Sequence, residues 1–105
     1  MGTSRRAEAL ALLGLAQRAG AVVKGTEATR RSIRAGDVRL IVVAEDGSET
    51  QRRKVLPLAR SRGVPWESLG DRADLGKAVG SGPLTMVGVT GPAFAKAFQE
   101  RVGRE

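Results

Sequence analysis

The sequence contains no cysteine, no histidine, no tyrosine and no asparagine. Without Cys, disulfides and thiolate metal sites are excluded. Without His, the chain lacks the commonest general base and the commonest metal ligand. Only carboxylates remain as charged metal ligands, and the eleven Asp and Glu are scattered along the chain. No metal site, no cofactor and no small-molecule substrate are therefore expected. The only aromatic residues are Trp66, Phe94 and Phe98, too few for the stacking platforms on which single-strand RNA modules hold bases. No apolar stretch approaches the roughly 20 residues that span a bilayer. Met1–Arg6 leads into a helical pattern rather than a signal-peptide core, so a cytoplasmic protein without membrane contact is expected.

What the chain does have is positive charge. The formal net charge is +7 over 105 residues, with a pI of about 11.3. A surface that basic favours polyanions, nucleic acid first and an anionic membrane second. Fourteen of the eighteen basic residues are Arg, whose planar fork suits phosphate and guanine. GC-rich coding gives the same excess of Arg, Ala and Gly, so this bias alone decides little. The length gives room for one domain over residues 1–105, with the tail from Gly103 expected to fray.

Hydrophobic periodicity divides the chain into nine elements. Residues 4–19 read as a helix, with Ser4 as N-cap, Leu10, Leu13 and Ala16 at helical spacing and Gly20 as the stop. Ala21–Lys24 reads as a short strand, and residues 27–35 as a helix closed by Gly36. Val38–Ala44 is almost wholly apolar and β-branched, as in a strand covered on both faces. Residues 49–62 read as a basic helix with Val55, Leu58 and Ala59 inward; Pro57 predicts a kink there, or a later start. Val64–Glu67 reads as an edge strand because of Pro65. Asp71–Val79 reads as a helix, Leu84–Thr90 as a second buried strand, and Gly91-Pro92 as the opening of a last helix carrying Phe94, Ala97 and Phe98. Alternating helices and strands predict an α/β fold with helices on both faces of a sheet.

Enzyme-like patterns fail on inspection. Gly70–Ala78 has a phosphate loop's glycines at the wrong spacing, and Ala78 where Ser or Thr must hold magnesium. Gly80–Thr85 lacks the third glycine of a dinucleotide fingerprint and precedes a strand instead of following one. Gly88-Val89-Thr90-Gly91 is apolar and ends a strand, unlike a KH clamp. No Ser has a His to activate it, and no Ser-x-x-Lys spacing occurs. A non-enzymatic protein is expected.

The informative segment is Lys24-Gly25-Thr26-Glu27-Ala28-Thr29-Arg30-Arg31-Ser32-Ile33-Arg34-Ala35-Gly36. At 100° per residue, Glu27, Arg30, Arg31 and Arg34 fall within about 100° of one another. Such a helix start exposes backbone N–H donors and a partial positive charge, and Gly25 lets another backbone approach. Arginines would meet phosphates, and Glu27 would accept from a base amino or imino group. The plain alternative is a solvated helix face in which Glu27 pairs with Arg30 or Arg31. A second basic group is Arg52-Arg53-Lys54 with Arg60 and Arg62. Trp66 reads either as a core cover or as a base-stacking platform.

The stretch Gly25–Gly36 followed by VRLIVVAED resembles the signature of the kink-turn-binding ribosomal protein family, the L-seven-Ae and L-thirty-e type, in its bacterial YlxQ-like branch. Val64-Pro65-Trp66, Leu75-Gly76-Lys77-Ala78-Val79-Gly80 and Met86-Val87-Gly88-Val89-Thr90 extend the likeness over roughly residues 8–99. The resemblance implies a three-layer α/β/α sandwich with a four-stranded mixed sheet. It implies binding of structured RNA at a sharply bent element, in ribosomal or another noncoding RNA, with the ribosome as a candidate partner. The family's binding loop maps onto Gly25, Thr26, Glu27 and Ala28, and its following basic contact onto Arg31. A second loop, which packs against extruded bases, maps onto Ser81, Gly82, Pro83 and Leu84. The resemblance also places the Arg52-Arg53-Lys54 helix away from the main RNA loop; two readings stand there, a contact with flanking RNA or another ribosomal component and, the plainer one, a solubilising face. Where the family usually carries Asn-Glu, this chain has Glu27-Ala28. The lost base contacts are worth about 1–3 kcal/mol each, so altered selectivity is expected, with Glu27 as partial substitute. Two rival readings come from the same fold: a substrate-recruiting domain of the kind found in RNA methyltransferases, here without a catalytic domain, and a protein-interaction module, whose known examples are acidic.

Overall fold

Two short apolar strands hold the centre. In the computed structural model, which describes residues 4–102, β2 (Leu40–Val43) and β4 (Met86–Val89) are buried along their whole length. They lie side by side inside a four-stranded sheet of order β1-β4-β2-β3. The edge strands are β1 (Val22–Lys24), antiparallel to β4, and β3 (Trp66–Ser68), parallel to β2; β2 and β4 are antiparallel. The sheet is thus mixed. Met1–Thr3 and the tail from Gly103 lie outside the described residues.

Alternation along the strands sends side chains to two helical layers. Leu40, Val42, Val87 and Val89 face α1 (Arg5–Arg18), α4 (Arg72–Ala78) and α5 (Pro92–Val102), packing with Leu13, Leu75 and Phe98. Ile41, Val43 and Met86 face α2 (Thr26–Arg34) and α3 (Glu49–Ser61), packing with Ile33, Val55 and Ala59. The expected three-layer α/β/α sandwich is present. Gly88 on β4 makes room chiefly for Val23 of β1, with Thr29 of α2 beside it: a Cβ at Gly88 would sit 2.8 Å from a Val23 methyl and 3.4 Å from the Thr29 hydroxyl and methyl.

Some boundaries differ from the sequence-based expectation. Pro57 neither delays nor ends α3, which begins at Glu49. Pro57 is exposed, so the Arg53 carbonyl that loses its donor lies on the solvent side, where water replaces it. β3 starts at Trp66, not Val64, because the Val64 N–H donates to the Ala59 carbonyl at the end of α3 (2.9 Å). β4 starts at Met86. Leu84, expected within it, donates its N–H to the Arg72 carbonyl (3.1 Å) and leaves the sheet. Trp66 packs against the α2/α3-side core, with the Arg60 guanidinium 5.7 Å from its ring centroid; it covers the core, and its outer face carries a cation.

Candidate nucleic-acid interface

Strands β1, β2 and β3 all run toward the same end of the sheet, and each is followed by a helix. The N-termini of α2, α3 and α4 are therefore gathered at one end, where antiparallel β4 begins. The three helix starts differ in their caps. Ser48 caps α3, its hydroxyl accepting from the Gln51 N–H, and Asp71 with Asp74 forms a capping box on α4. The cap of α2 is Gly25, at φ 90°, which has no side chain to offer. The first backbone donors of α2, at Thr26, Glu27 and Ala28, thus have no side-chain cap, and the positive end of the helix dipole is presented outward.

Two loops meet in front of this helix end. The Gly25 N–H donates to the Met86 carbonyl (3.1 Å), which ties the α2 start to β4. A Cβ at Gly25 would lie 3.8 Å from the Leu84 side chain. On the other side, the Ser81 N–H donates to the Gly76 carbonyl (2.7 Å), and the Gly82 carbonyl lies directly over Gly76 of α4. Between the loops is an open groove of about 350 Å³. Gly25, Thr26 and Glu27 form one wall, and Pro83, Leu84 and Thr85 the other; Ser48, Gln51 and Arg72 close it.

The structure thus brings together five of the residues singled out in the sequence: Gly25, Thr26, Glu27, Pro83 and Leu84. Ser81 and Gly82 are exposed in the same loop, and Lys24 is exposed at the end of β1 beside it. Ala28 is half-buried and does not line the groove. Arg31 and Arg34 are exposed on α2, whereas Arg30 is half-buried and its Nε is enclosed with no hydrogen-bond partner among the described residues. The cationic ledge is therefore open at Arg31 and Arg34 and partly recessed at Arg30. No ion pair joins Glu27 to Arg30 or Arg31 among the described residues.

Sequence reasoning missed Ser48, Gln51, Arg72 and Thr85. The Thr26 hydroxyl donates to Gln51 Oε1 (2.9 Å), tying the α2 start to the first turn of α3. The Ser48 N–H donates to the Thr85 hydroxyl (3.2 Å). Asp46 accepts from the Arg72 N–H (2.8 Å) and lies 3.6 Å from Arg72 Nε, beside the groove that Arg72 lines. Of these, only Ser48 had a readable signal, as the N-cap in Asp46-Gly47-Ser48-Glu49. The expectation that the Arg52-Arg53-Lys54 helix lies away from the loop is corrected for its first turn, which borders the groove.

Chemically, the groove offers backbone and guanidinium donors to an oxyanion, a carboxylate acceptor at Glu27, and an apolar wall at Pro83 and Leu84 for a planar ring. Among the described residues, no cluster of three or more Asp or Glu is placed to hold a metal ion.

Residues 7–98 match the family described as ribosomal protein L7Ae/L30e/S12e/Gadd45. The chain belongs to this family. Among the relatives of this L7Ae-type chain, the RNA-binding protein YlxQ of Enterococcus faecium is 32% identical, over 97% of this chain and 98% of that one. The large ribosomal subunit protein eL8 of Thermoplasma volcanium is 35% identical, over 78% of this chain and 69% of the relative. A solved structure from Bacillus halodurans, of a protein with unknown function, superposes with a TM-score of 0.86 at 28% identity, over 91% of this chain and 97% of the other. Each aligns over most of this chain, so the L7Ae-type frame holds from α1 to α5.

Proposed function

We propose that this protein is a non-catalytic RNA-binding protein that docks the groove between Gly25–Glu27 and Pro83–Thr85 onto a sharply bent, structured RNA of the kink-turn type. The observation that carries this reading is the meeting of the uncapped α2 N-terminus with the 81–84 loop, beside Arg31 and Arg34. Crowded phosphates at a bend need several fixed donors at once, and a helix start with flanking arginines supplies them without further ordering. The Pro83–Leu84 wall suits the face of a base extruded at the bend, and Glu27 suits an exposed base amino or imino group.

Membership of the L7Ae/L30e/S12e/Gadd45 family supports this reading, as does the likeness to relatives named as RNA-binding and ribosomal proteins. The RNA is ribosomal or another noncoding RNA, and the site of action is the cytoplasm, on or near the ribosome. The 105-residue chain acts as one binding unit through Lys24–Ala28, Arg30, Arg31, Arg34 and Ser81–Leu84, to which Ser48, Gln51, Arg72 and Thr85 are added.

A binding titration tests this. RNA containing a kink-turn is compared with a straight duplex of equal length at fixed ionic strength. The expected result is tighter binding of the bent RNA by about tenfold or more, the size of one good base contact. Equal affinity for the two overturns the kink-turn reading, and no binding of either overturns RNA recognition itself.

A further inference from the structure

The positive charge is not spread over the molecule. Segments 24–39 and 48–64, which contain α2 and α3 with their flanking turns, hold ten of the eighteen basic residues and three of the eleven acids. The rest of the chain holds eight of each, so the net charge of +7 is carried by these two segments, and all of it except Lys24 at the end of β1 lies on one helical layer or its flanking turns. This layer packs on a single face of the sheet, while α1, α4 and α5 cover the other.

Helix stability does not explain the segregation. Cations at helix C-termini complement the dipole, and Arg34, Arg60 and Arg62 fit that account. Arg52, Arg53 and Lys54 do not, because they stand in the first half of α3, away from its C-terminal turn. Arg39 stands outside both helices. Among the described residues, the only ion pair on this layer is Arg53–Glu49 (3.5 Å). Arg34, Arg39 and Arg62 are exposed and unpaired there. Arg39 and Arg62 line a second groove of about 320 Å³ at the far end of the sheet, where β2 starts and α3 ends. α3 connects the two ends: its first turn borders the candidate groove and its C-terminus borders this second one. At 1.5 Å per residue its 13 residues span about 20 Å.

We infer that the outer face of the α2/α3 layer is a second RNA-contact surface, which takes the phosphate backbone of a double-helical stem leading away from the bend. This rests on the RNA-binding function proposed above and extends its footprint. The ligand is a duplex because the surface offers positive charge along its length and no open ring: its one aromatic, Trp66, lies under Arg60. Contacts of this kind carry register and salt dependence rather than sequence.

The test uses the full chain with Arg39→Gln, Arg60→Gln and Arg62→Gln combined, all exposed and outside the binding unit proposed above. Affinity is measured against salt concentration for a bent RNA with a long flanking stem and for the same bend with that stem cut short. On the long-stem RNA, the expected outcome is a log–log salt slope shallower by roughly 2–3 and a correspondingly weaker affinity at low salt. On the short-stem RNA the slope stays unchanged, and so does the preference for bent over straight RNA. The corresponding Arg→Lys triple variant keeps the wild-type slope, because charge and not fork geometry is read here. Should the Gln triple variant fail to fold, Arg39→Gln alone is scored in the same way, with an expected slope change of roughly one. An unchanged slope on the long-stem RNA overturns this inference and leaves the groove's function standing. A wild-type chain that binds neither RNA overturns both.

Discussion

Gly76 and Gly82 meet backbone to backbone: a methyl group on Gly76 would lie 2.0 Å from the Gly82 carbonyl oxygen. Gly76 is in the middle of α4, where glycine is a poor choice for the helix by about 1 kcal/mol relative to Ala. The close approach explains its presence. It lets the 81–84 loop lie flat on α4 and lets Ser81 donate to the Gly76 carbonyl. Gly76→Ala therefore has two opposed effects. The helix gains about 1 kcal/mol in propensity, but overpacking against a backbone atom costs about 1–3 kcal/mol and displaces the loop. The clash wins at 2.0 Å. The expected outcome is a lower denaturant midpoint together with a loss of preference for bent RNA. A variant with wild-type stability and selectivity refutes this account of the loop.

Thr29 gives the opposite sign. It is fully buried against the sheet beside Gly88, and its hydroxyl has no hydrogen-bond partner among the described residues. A buried hydroxyl without a partner costs about 1–3 kcal/mol. Thr29→Val keeps the shape and removes the polar atom. Stability should rise by about 1 kcal/mol, equivalent to about 4–8 °C in Tm for a domain of this size. Calorimetry checks it, and a drop in Tm shows that the hydroxyl is satisfied in solution.

Asp46 separates stability from binding. Its carboxylate accepts from the Arg72 backbone N–H and pairs with the Arg72 side chain. Asp46→Ala leaves a helix-start donor unpaired, at a cost of about 0.5–2 kcal/mol, the range for lost helix-start acceptors. The ion pair adds little, since both groups are half exposed. The same change removes a negative charge from the edge of the groove. Thermal stability should fall while affinity for bent and straight RNA rises alike at low salt. Parallel losses in stability and affinity would show that Asp46 acts on the site only through the fold.

The resemblance drawn from the sequence implies Asn-Glu at the loop position where this chain has Glu27-Ala28. Glu27→Asn combined with Ala28→Glu rebuilds that pair on the uncapped helix start. Each restored base contact is worth about 1–3 kcal/mol, so the ratio of affinities for bent over straight RNA should increase tenfold or more. The measurement is a pair of titrations at equal salt, and an unchanged ratio means that Glu27 already makes an equivalent contact.

Much of this was legible in the chain itself. The run Val38–Ala44 read as a strand covered on both faces and holds β2, buried at Leu40–Val43, and Gly36 and Gly80 end their helices at positive φ as glycines at those positions should. The Gly25–Gly36 segment announced an exposed basic helix with an open start. The recessing of Arg30 was not legible, because an angle around α2 does not say where α3 packs. Nor was the burial of Thr29, a polar residue that packs beside Gly88 of a strand distant in the chain. Gln51, Arg72 and Thr85 join the groove from positions 25 to 59 residues away from Thr26, a separation over which no local pattern carries information. Pro57 misled because its effect depends on which side of α3 faces water.

The sequence by itself determined the order of elements, the excess of charge and the open α2 start, because hydrophobic period, capping chemistry and glycine stereochemistry act over a few neighbouring residues. Only the tertiary structure decided that three helix starts share one end of the sheet, that the 81–84 loop lies against Gly25, and that nearly all of the net charge falls on one layer and its flanking turns. Those outcomes follow from strand order and direction, which long-range pairing sets: β4 inserts between β1 and β2 and brings distant segments to one place.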